Sequence, residues 1–234
     1  MRRPLTWIAG LGLAVFLIGL SVVPLTIPAF TRVLSSRVSL AEEAGLPRQQ
    51  IVSIAEQVRE FVVDGDTDTL PTTVDGRDGF DASAVSHLRD VRRVLAAARV
   101  ATGVLAALLA LALGVEVARK RTDRIADALL AGAVCSAVLV AVALLAAASD
   151  FEAFFSAFHG VFFTSGTWTF SYDSLLIQTF PEPFWVTCGA VWAGLVAVGA
   201  AAMAVGAVAL RRGYARHAAR SASRHSQPPL DFKA

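Results

Sequence analysis

Four long apolar stretches are the feature that most constrains how this chain folds. They cover residues 5–29, 94–118, 127–148 and 184–210, approximately, of the 234. Each is long enough to cross a hydrocarbon core of about 30 Å as a helix. Because backbone groups in lipid must hydrogen-bond to one another, such stretches form helices. The sequence therefore predicts an all-α membrane protein whose domain, residues 1–210, contains four transmembrane helices. Only 17% of the residues are charged, which argues against an ordinary soluble domain.

The basic residues predict the orientation of these helices in the membrane. They are concentrated before the first stretch, between the second and third, and after the fourth: Arg2, Arg3, Arg119, Lys120, Arg121, Arg124, Arg211, Arg212, Arg216, Arg220 and Arg224. Cytoplasmic loops carry such an excess of Lys and Arg. We therefore expect both termini to be cytoplasmic and residues 31–92 and 149–183 to lie outside. Residues 211–234 are predicted to form a disordered basic cytoplasmic tail.

The first apolar stretch has two interpretations, a cleaved signal peptide or a retained helix. Its apolar run exceeds the roughly 7–15 residues of a signal-peptide core. The following segment, Pro24 to Phe30, is a poor small-residue cleavage site. These two observations favour a retained transmembrane helix.

The first outer segment predicts a small cap of short helices and a possible β-hairpin arm. Ile51, Ile54 and Val58 recur at helical spacing, whereas Asp75-Gly76 is a turn dipeptide next to a Thr/Val-rich piece. The Asp-rich stretch around this turn reads as a solvated loop. A calcium loop is the alternative, but the required spacing of carboxylates and the closing Glu are missing.

A histidine lies on the helix that leads into the second apolar stretch. Asp81 or Ser83 can cap this helix, and His87 then stands about 10 Å above the start of the apolar run. Asp90 follows three residues later on the same helix face, where its carboxylate can fix the tautomer of the imidazole. The alternative is a surface histidine beside an ordinary acidic neighbour.

The second outer segment combines a capping signal, a phenylalanine stripe and another histidine. Ser149 followed by Glu152 is a capping box that starts a new helix. Phenylalanines then recur on one face, as in a helix that lies in the membrane interface, with His159 at the edge of that face. An interfacial belt explains most of the aromatic residues, but it does not explain His159, Asp173 or Glu182.

Two outer histidines indicate acid/base chemistry, and several other reactions lack their sequence signals. There is no Gly-x-Ser-x-Gly elbow for a serine hydrolase. Two histidines on separate elements are a weak signal for a metal site, even with Asp90, Asp173 or Glu182 as a third ligand. The apolar stretches carry almost no charged residues, which argues against a transporter.

The two histidine motifs, together with the four-helix layout, resemble the lipoprotein intramolecular transacylase family Lit. The first is Ser86-His87-Leu88-Arg89-Asp90-Val91, and the second runs from Phe158-His159 to Phe184-Trp185. The resemblance implies an enzyme at the outer face of the bacterial cytoplasmic membrane. It would move the sn-2 acyl chain of a diacylglyceryl lipoprotein to the α-amino group of the lipidated N-terminal cysteine, which gives the lyso form.

The resemblance also implies which residues act, and spacing suggests others around them. The family's two functional histidines map onto His87 and His159. From spacing we expect Asp90 to orient His87. We also expect Asp173 to support the site and the oxyanion to be bound by the protonated second histidine or by a backbone N–H near Gly160 or Gly166. Aromatic side chains are expected to line the site, namely Phe158, Phe162, Trp168 and Phe170.

The expected partners are membrane lipid and a lipoprotein, with no nucleic acid, cofactor or metal. The rival hypothesis is a membrane scaffold or lipid-binding accessory protein without enzyme activity. It predicts that the two histidines point apart.

Overall fold

The structure, a computed structural model, describes residues 3–65, 67–164 and 166–225. Its helices are α1 (Arg3–Leu20), α2 (Pro28–Val38), α3 (Arg48–Arg59), α4 (Ala82–Ala118), α5 (Thr122–Ser149), α6 (Phe151–Phe162), α7 (Leu175–Thr179) and α8 (Glu182–His225). Four segments are long and apolar enough to cross a membrane: Pro4–Thr26, Ala82–Ala118, Thr122–Ser149 and Glu182–Tyr214. The predicted all-α membrane architecture is therefore confirmed.

Helix α5 is the centre of the membrane bundle, because it packs against both α1 and α8. Glycine allows the close approach of α1 and α5: a Cβ atom on Gly10 would lie 2.9 Å from the backbone carbonyl carbon of Ala131. Small residues permit such contacts between helices where water supplies no driving force. Helix α4 lies at the side of the bundle and packs mainly against α1.

The largest apolar core among the described residues lies in the cap and includes the outer ends of two of the long helices. It contains buried residues from α2, α3, the hairpin, the first turns of α4, α7 and the start of α8. The bulkiest fully buried members are Phe61, Phe80 and Ile51. The two outer segments are also joined by a hydrogen bond of 2.8 Å from the Ser39 hydroxyl to the Thr179 carbonyl. The cap is therefore one packed unit rather than two separate loops.

The predicted hairpin is present. Strands β1 (Thr73–Val74) and β2 (Arg77–Asp78) pair antiparallel. The two connecting residues, Asp75 and Gly76, both have positive φ, at 50° and 78°. This conformation suits tight hairpin turns, and Asp-Gly is a favoured sequence for it.

Arginines on α4 hold the cap against this helix. The chain beyond α3 continues as a π-helical turn, Glu60–Asp64, which ends at Gly65 in the left-handed conformation. Its terminal carbonyls have no partner within the turn. Arg92 donates to the Phe61 carbonyl at 2.6 Å and stacks over the Phe61 ring, while Arg99 donates to the Val63 carbonyl at 2.7 Å. Cationic side chains at a helix C-terminus also interact favourably with its dipole.

Helix α8 continues further than the sequence predicted. We expected disorder from residue 211, but the helix runs to His225. A segment rich in Ala and Arg has high helix propensity, and it extends an existing helix without a new nucleation step. The rest of the predicted tail, residues 226–234, lies outside the described residues.

The close contact of α1 with α5 predicts that Gly10→Ala destabilises the bundle. The added methyl group would meet the backbone of Ala131, and overpacking of this kind costs roughly 1–3 kcal/mol. Gly103→Ala is the matched control, because a Cβ atom there meets nothing within 4 Å. Thermal unfolding in detergent, followed by circular dichroism, should show a lower Tm for Gly10→Ala alone. Equal Tm values for the two variants would contradict this packing.

Candidate active site

His87 is held on the first turns of α4, before the long apolar part of this helix begins. The helix begins at Asp81, whose carboxylate accepts a hydrogen bond of 2.7 Å from the Ala84 amide. With 37 residues the helix is roughly 55 Å long, well over the thickness of a hydrocarbon core. Its first turns, which carry four charged residues (Arg89, Asp90, Arg92 and Arg93), therefore extend above the apolar part of the helix.

His159 is placed by α6, which begins one residue later than its capping signal suggested. Asp150, rather than Ser149, is the capping residue, and its carboxylate accepts from the Ala153 amide at 2.9 Å. Ser149 is instead the last residue of α5, and its hydroxyl donates to the Ala146 carbonyl. Asp150 has the extended backbone that a capping position requires.

A backbone hydrogen bond fixes the tautomer of His159. Its Nδ1 lies 2.8 Å from the carbonyl oxygen of Phe155, one turn earlier on α6. A carbonyl oxygen can only accept, so Nδ1 carries the proton. In the neutral ring Nε2 is then unprotonated and can act as a base.

The structure brings the two histidines together. Their ring centroids lie 6.1 Å apart with an angle of 29° between the ring planes. His87 comes from α4 and His159 from α6, and 72 positions separate them in sequence. The pair therefore lacks the arrangement, with the two side chains pointing apart, that the rival hypothesis predicts.

Five aromatic side chains contact the histidine pair in the described part of the chain: Phe155, Phe158, Phe163, Trp168 and Phe170. Phe155 and Trp168 lie closest to His159, with ring centroids at 4.0 and 4.8 Å. Phe163 and Phe170 contact His87 at 5.0 and 5.6 Å. The sequence identified Trp168 and Phe170 but missed Phe155 and Phe163 as site residues. Their spacing of four residues on either side of His159 was the available signal, because such positions share a helix face.

Burial keeps both histidines neutral near pH 7. It lowers the pKa of His87 from its ordinary value of 6.5 to about 4; the nearby His159 acts in the same direction, and Asp90 opposes it. Burial also lowers the pKa of His159, while the hydrogen bond to Phe155 opposes this shift. The physical cause is the loss of water around the charged imidazolium.

Two polar groups of the site are buried without a partner. The Nδ1 atom of His87 and the Nε1 atom of Trp168 are inaccessible to solvent, and neither has a hydrogen-bond partner among the described residues. Leaving such a group unsatisfied costs about 1–3 kcal/mol. Unsatisfied groups in a native structure often mark a functional site. These two atoms can therefore bind a polar group of a substrate.

Asp90 does not hold His87 as the sequence predicted. Its carboxylate instead accepts a hydrogen bond of 2.8 Å from the guanidinium of Arg93. Both His87 and Arg93 lie three residues from Asp90, so sequence spacing allows either contact. The His87 ring packs against Phe163 and Phe170, and Arg93 offers the Asp90 carboxylate a full positive charge.

The remaining predicted residues lie at the edge of the site or elsewhere. Asp173 is exposed and lines a separate cavity of about 380 Å³ with Arg77, Asp78 and Gln178. Gly160 lies inside α6, where backbone amides are used by helical hydrogen bonds, and Gly166 is exposed with a φ of 85°. Phe158 and Phe162 are about half exposed and contact each other at 5.2 Å, and the Phe158 ring also contacts that of His159 at 5.7 Å.

Among the residues whose side chains the structure describes, 4–65, 67–164 and 166–214, no group of three or more His, Cys, Asp or Glu residues is placed to hold a metal ion.

Comparison with known proteins relates this arrangement to a single family. A family model described as lipoprotein intramolecular transacylase Lit matches residues 7–185, more than half of the chain. The chain resembles the solved structure of the membrane integral Lit from Bacillus cereus, with a TM-score of 0.78, 16% identity, and coverage of 92% of this chain and 98% of that one. A search of curated proteins gave no match.

Two further structures of Bacillus cereus Lit match the same fold, and each carries a substitution of one histidine. The form with arginine has a TM-score of 0.73 at 16% identity, and covers 93% of this chain and 95% of that one. The form with alanine has a TM-score of 0.65 at 16% identity, with 92% and 96% covered. At this level of identity the likeness concerns the fold.

The low pKa of His87 predicts a stability that falls in acid. The unfolded chain binds a proton at His87 as the pH falls through about 6.5, whereas the folded chain does so only near pH 4. At pH 5 the folded state therefore loses on the order of 2 kcal/mol relative to pH 7.5 from this residue alone. The Tm difference between these pH values should be smaller for His87→Leu than for wild type. Equal differences would contradict a buried neutral His87.

Proposed function

The chain belongs to the lipoprotein intramolecular transacylase family Lit, and we propose that it transfers the sn-2 acyl chain of a diacylglyceryl lipoprotein to the α-amino group of its N-terminal cysteine. The product is the lyso form, an N-acylated lipoprotein with one acyl chain left on the glyceryl group. The single observation that carries this proposal is the pairing of two neutral histidines 6.1 Å apart, one of them with an unprotonated Nε2.

The reaction exchanges one bond for another within a single substrate molecule. The amine nitrogen attacks the ester carbonyl carbon, so an amide bond forms and the bond from carbon to the glyceryl oxygen breaks. One proton leaves the nitrogen, and one proton is delivered to the departing glyceryl oxygen. Donor and acceptor in one molecule give a high effective molarity when they are held in contact. No acyl-enzyme intermediate is required.

His159 is the group we assign to proton transfer. Its Nδ1 donates to the Phe155 carbonyl, which leaves Nε2 free to accept the proton of the attacking amine. The imidazolium formed in this way then protonates the glyceryl oxygen, so one residue serves as base and as acid. The hydrogen bond to the carbonyl also stabilises the imidazolium while it exists.

His87 is assigned to substrate positioning. Because its pKa lies near 4, it stays neutral and does not repel the imidazolium that forms on His159. Its buried Nδ1 has no partner among the described residues, so it can form one hydrogen bond with the substrate amine or ester. The surrounding aromatic rings exclude water, which strengthens such a hydrogen bond.

The proposed location of the site is the outer face of the bacterial cytoplasmic membrane. The cap and both histidines lie at one end of the bundle, while the loop between α4 and α5 lies at the other. That loop carries Arg119, Lys120 and Arg121, with Arg124 just beyond. The excess of positive charge supports a cytoplasmic location for this end and an outer location for the cap.

The first test is mass spectrometry of a model lipoprotein coexpressed with the chain. Wild type should give the N-acyl lyso form, whereas His159→Ala should leave the diacylglyceryl form with a free amine. Loss of acid/base catalysis lowers rates by roughly 10²–10⁴-fold. Asp90→Asn is the control that keeps conversion, because Asp90 pairs with Arg93 rather than with a histidine. Absence of lyso product with wild type would refute the proposed function, and full conversion by His159→Ala would refute the assigned role.

The second test is the pH dependence of kcat/KM for the purified protein. The substrate amine has a reference pKa near 8, and the pKa of His159 lies below 6.5 because of burial. The value of kcat/KM should therefore rise with pH in two steps. Deprotonation of His159 causes the step below pH 6.5, and deprotonation of the substrate amine causes the step near pH 8. The logarithm of kcat/KM should have a slope of about one between the two steps and a steeper slope below both. An enzyme step above pH 6.5 would contradict the assignment of a buried neutral base.

A further inference from the structure

The indole N–H groups of Trp168, Trp185 and Trp192 differ in one respect. Trp185 donates its N–H to the Phe180 carbonyl at 3.0 Å, and Trp192 donates to the Ile18 carbonyl at 3.2 Å. The Nε1 atom of Trp168 is buried and has no partner within the described part of the chain. A tryptophan N–H is a donor only, so an oxygen acceptor is what this group lacks.

Trp168 lies beside the histidine that we assign to proton transfer. Its ring centroid is 4.8 Å from that of His159. The amine attacks the ester carbonyl carbon, and the carbonyl oxygen is bonded directly to that carbon. A base on the amine and a donor on this oxygen must therefore stand within a few ångströms of each other. With ring centroids 4.8 Å apart, the two rings are close enough to serve as this base and this donor.

The other donors that the sequence offered are less suitable for this task. Gly160 is inside α6, where its amide belongs to the helical hydrogen-bond pattern. Gly166 is exposed, so water competes for its amide. A donor in a site from which water is excluded stabilises developing charge far better than an exposed one.

We propose that the indole N–H of Trp168 donates to the carbonyl oxygen of the ester as it becomes the oxyanion of the tetrahedral intermediate. This inference rests on the proposed function and adds a catalytic residue to it. The N–H donates a hydrogen bond without giving up its proton. When the intermediate collapses, the electron pair on the oxygen re-forms the carbonyl of the new amide, and the glyceryl oxygen leaves with the proton from His159.

The Nε1 atom of Trp168 has no accessible surface, so the carbonyl oxygen reaches it only after side chains of the site move apart. Trp168 and Phe170 lie after the end of α6 and before the start of α7. Rotation of these two side chains can therefore open the contact without breaking the hydrogen bonds of either helix.

The experiment compares Trp168→Phe with wild type on a synthetic diacylglyceryl peptide, with both proteins purified in detergent. Phenylalanine keeps an aromatic ring but lacks the N–H. We expect kcat to fall by roughly 10²–10³-fold, the usual effect of losing one oxyanion donor, while KM changes by less than about threefold. Trp185→Phe is the matched control: it also loses an indole hydrogen bond near the site, and its kcat should stay close to that of wild type.

A second measurement separates catalysis from packing. A phosphonate analogue of the tetrahedral intermediate should bind Trp168→Phe more weakly by a factor close to the loss in kcat/KM, because both report binding of the oxyanion. Replacement of Trp168 by benzothienylalanine, which has sulfur in place of N–H and the same ring shape, should reproduce both effects if phenylalanine disturbs folding.

The outcomes distinguish this inference from the proposed function. If wild type is active and both substitutions of Trp168 keep its kcat, the indole donor is refuted while the transacylase function stands. If Trp168→Phe raises KM but leaves kcat and the affinity for the phosphonate at their wild-type values, Trp168 contributes only to packing. That result refutes the inference. If wild type forms no amide product, the proposed function is refuted together with the inference.

Discussion

The apolar core of the cap is the interaction on which the rest of the site depends. Within the bundle, α4 packs mainly against α1, so its first turns have few contacts of their own with the membrane helices. Ala84 and Leu88 bury themselves in the cap core, and Arg92 binds the free carbonyl of Phe61 just below. These contacts determine the rotation and height of α4 at His87. A loosely attached cap would leave His87 without a fixed distance to His159.

The aromatic residues around the histidines then set their chemistry. Loss of water lowers the pKa of both imidazoles, which keeps them available as neutral groups near pH 7. The same loss of water leaves the Nδ1 atom of His87 and the Nε1 atom of Trp168 without partners among the described residues. These two unsatisfied polar atoms lower the stability of the folded protein, but they can bind a substrate more strongly than water-exposed groups would.

Local signals predicted local structure well and failed where two partners competed. The turn at Asp75-Gly76 and the cap at Asp81 are both present, because each depends on a few adjacent residues. Asp90 is the opposite case: spacing places it equally near His87 and Arg93, and the aromatic neighbours of His87, which come from another segment, decide the outcome. The sequence did not indicate a role for Arg92, because the oxygen atoms that accept its hydrogen bonds lie in the distant segment 61–68.

The sequence by itself determined the four membrane helices, the presence of a cap and the two histidines as the candidate catalytic pair. It could do so because a long apolar run forms a helix in lipid and because a histidine motif consists of a few adjacent residues. Only the tertiary structure decided the distance between His87 and His159, the tautomer of His159, the pKa values, and which of the aromatic residues surround the pair. These properties depend on burial and on contacts between residue 87 and residues 155–170, which become neighbours only when the start of α4 and the end of α6 come together in the folded chain.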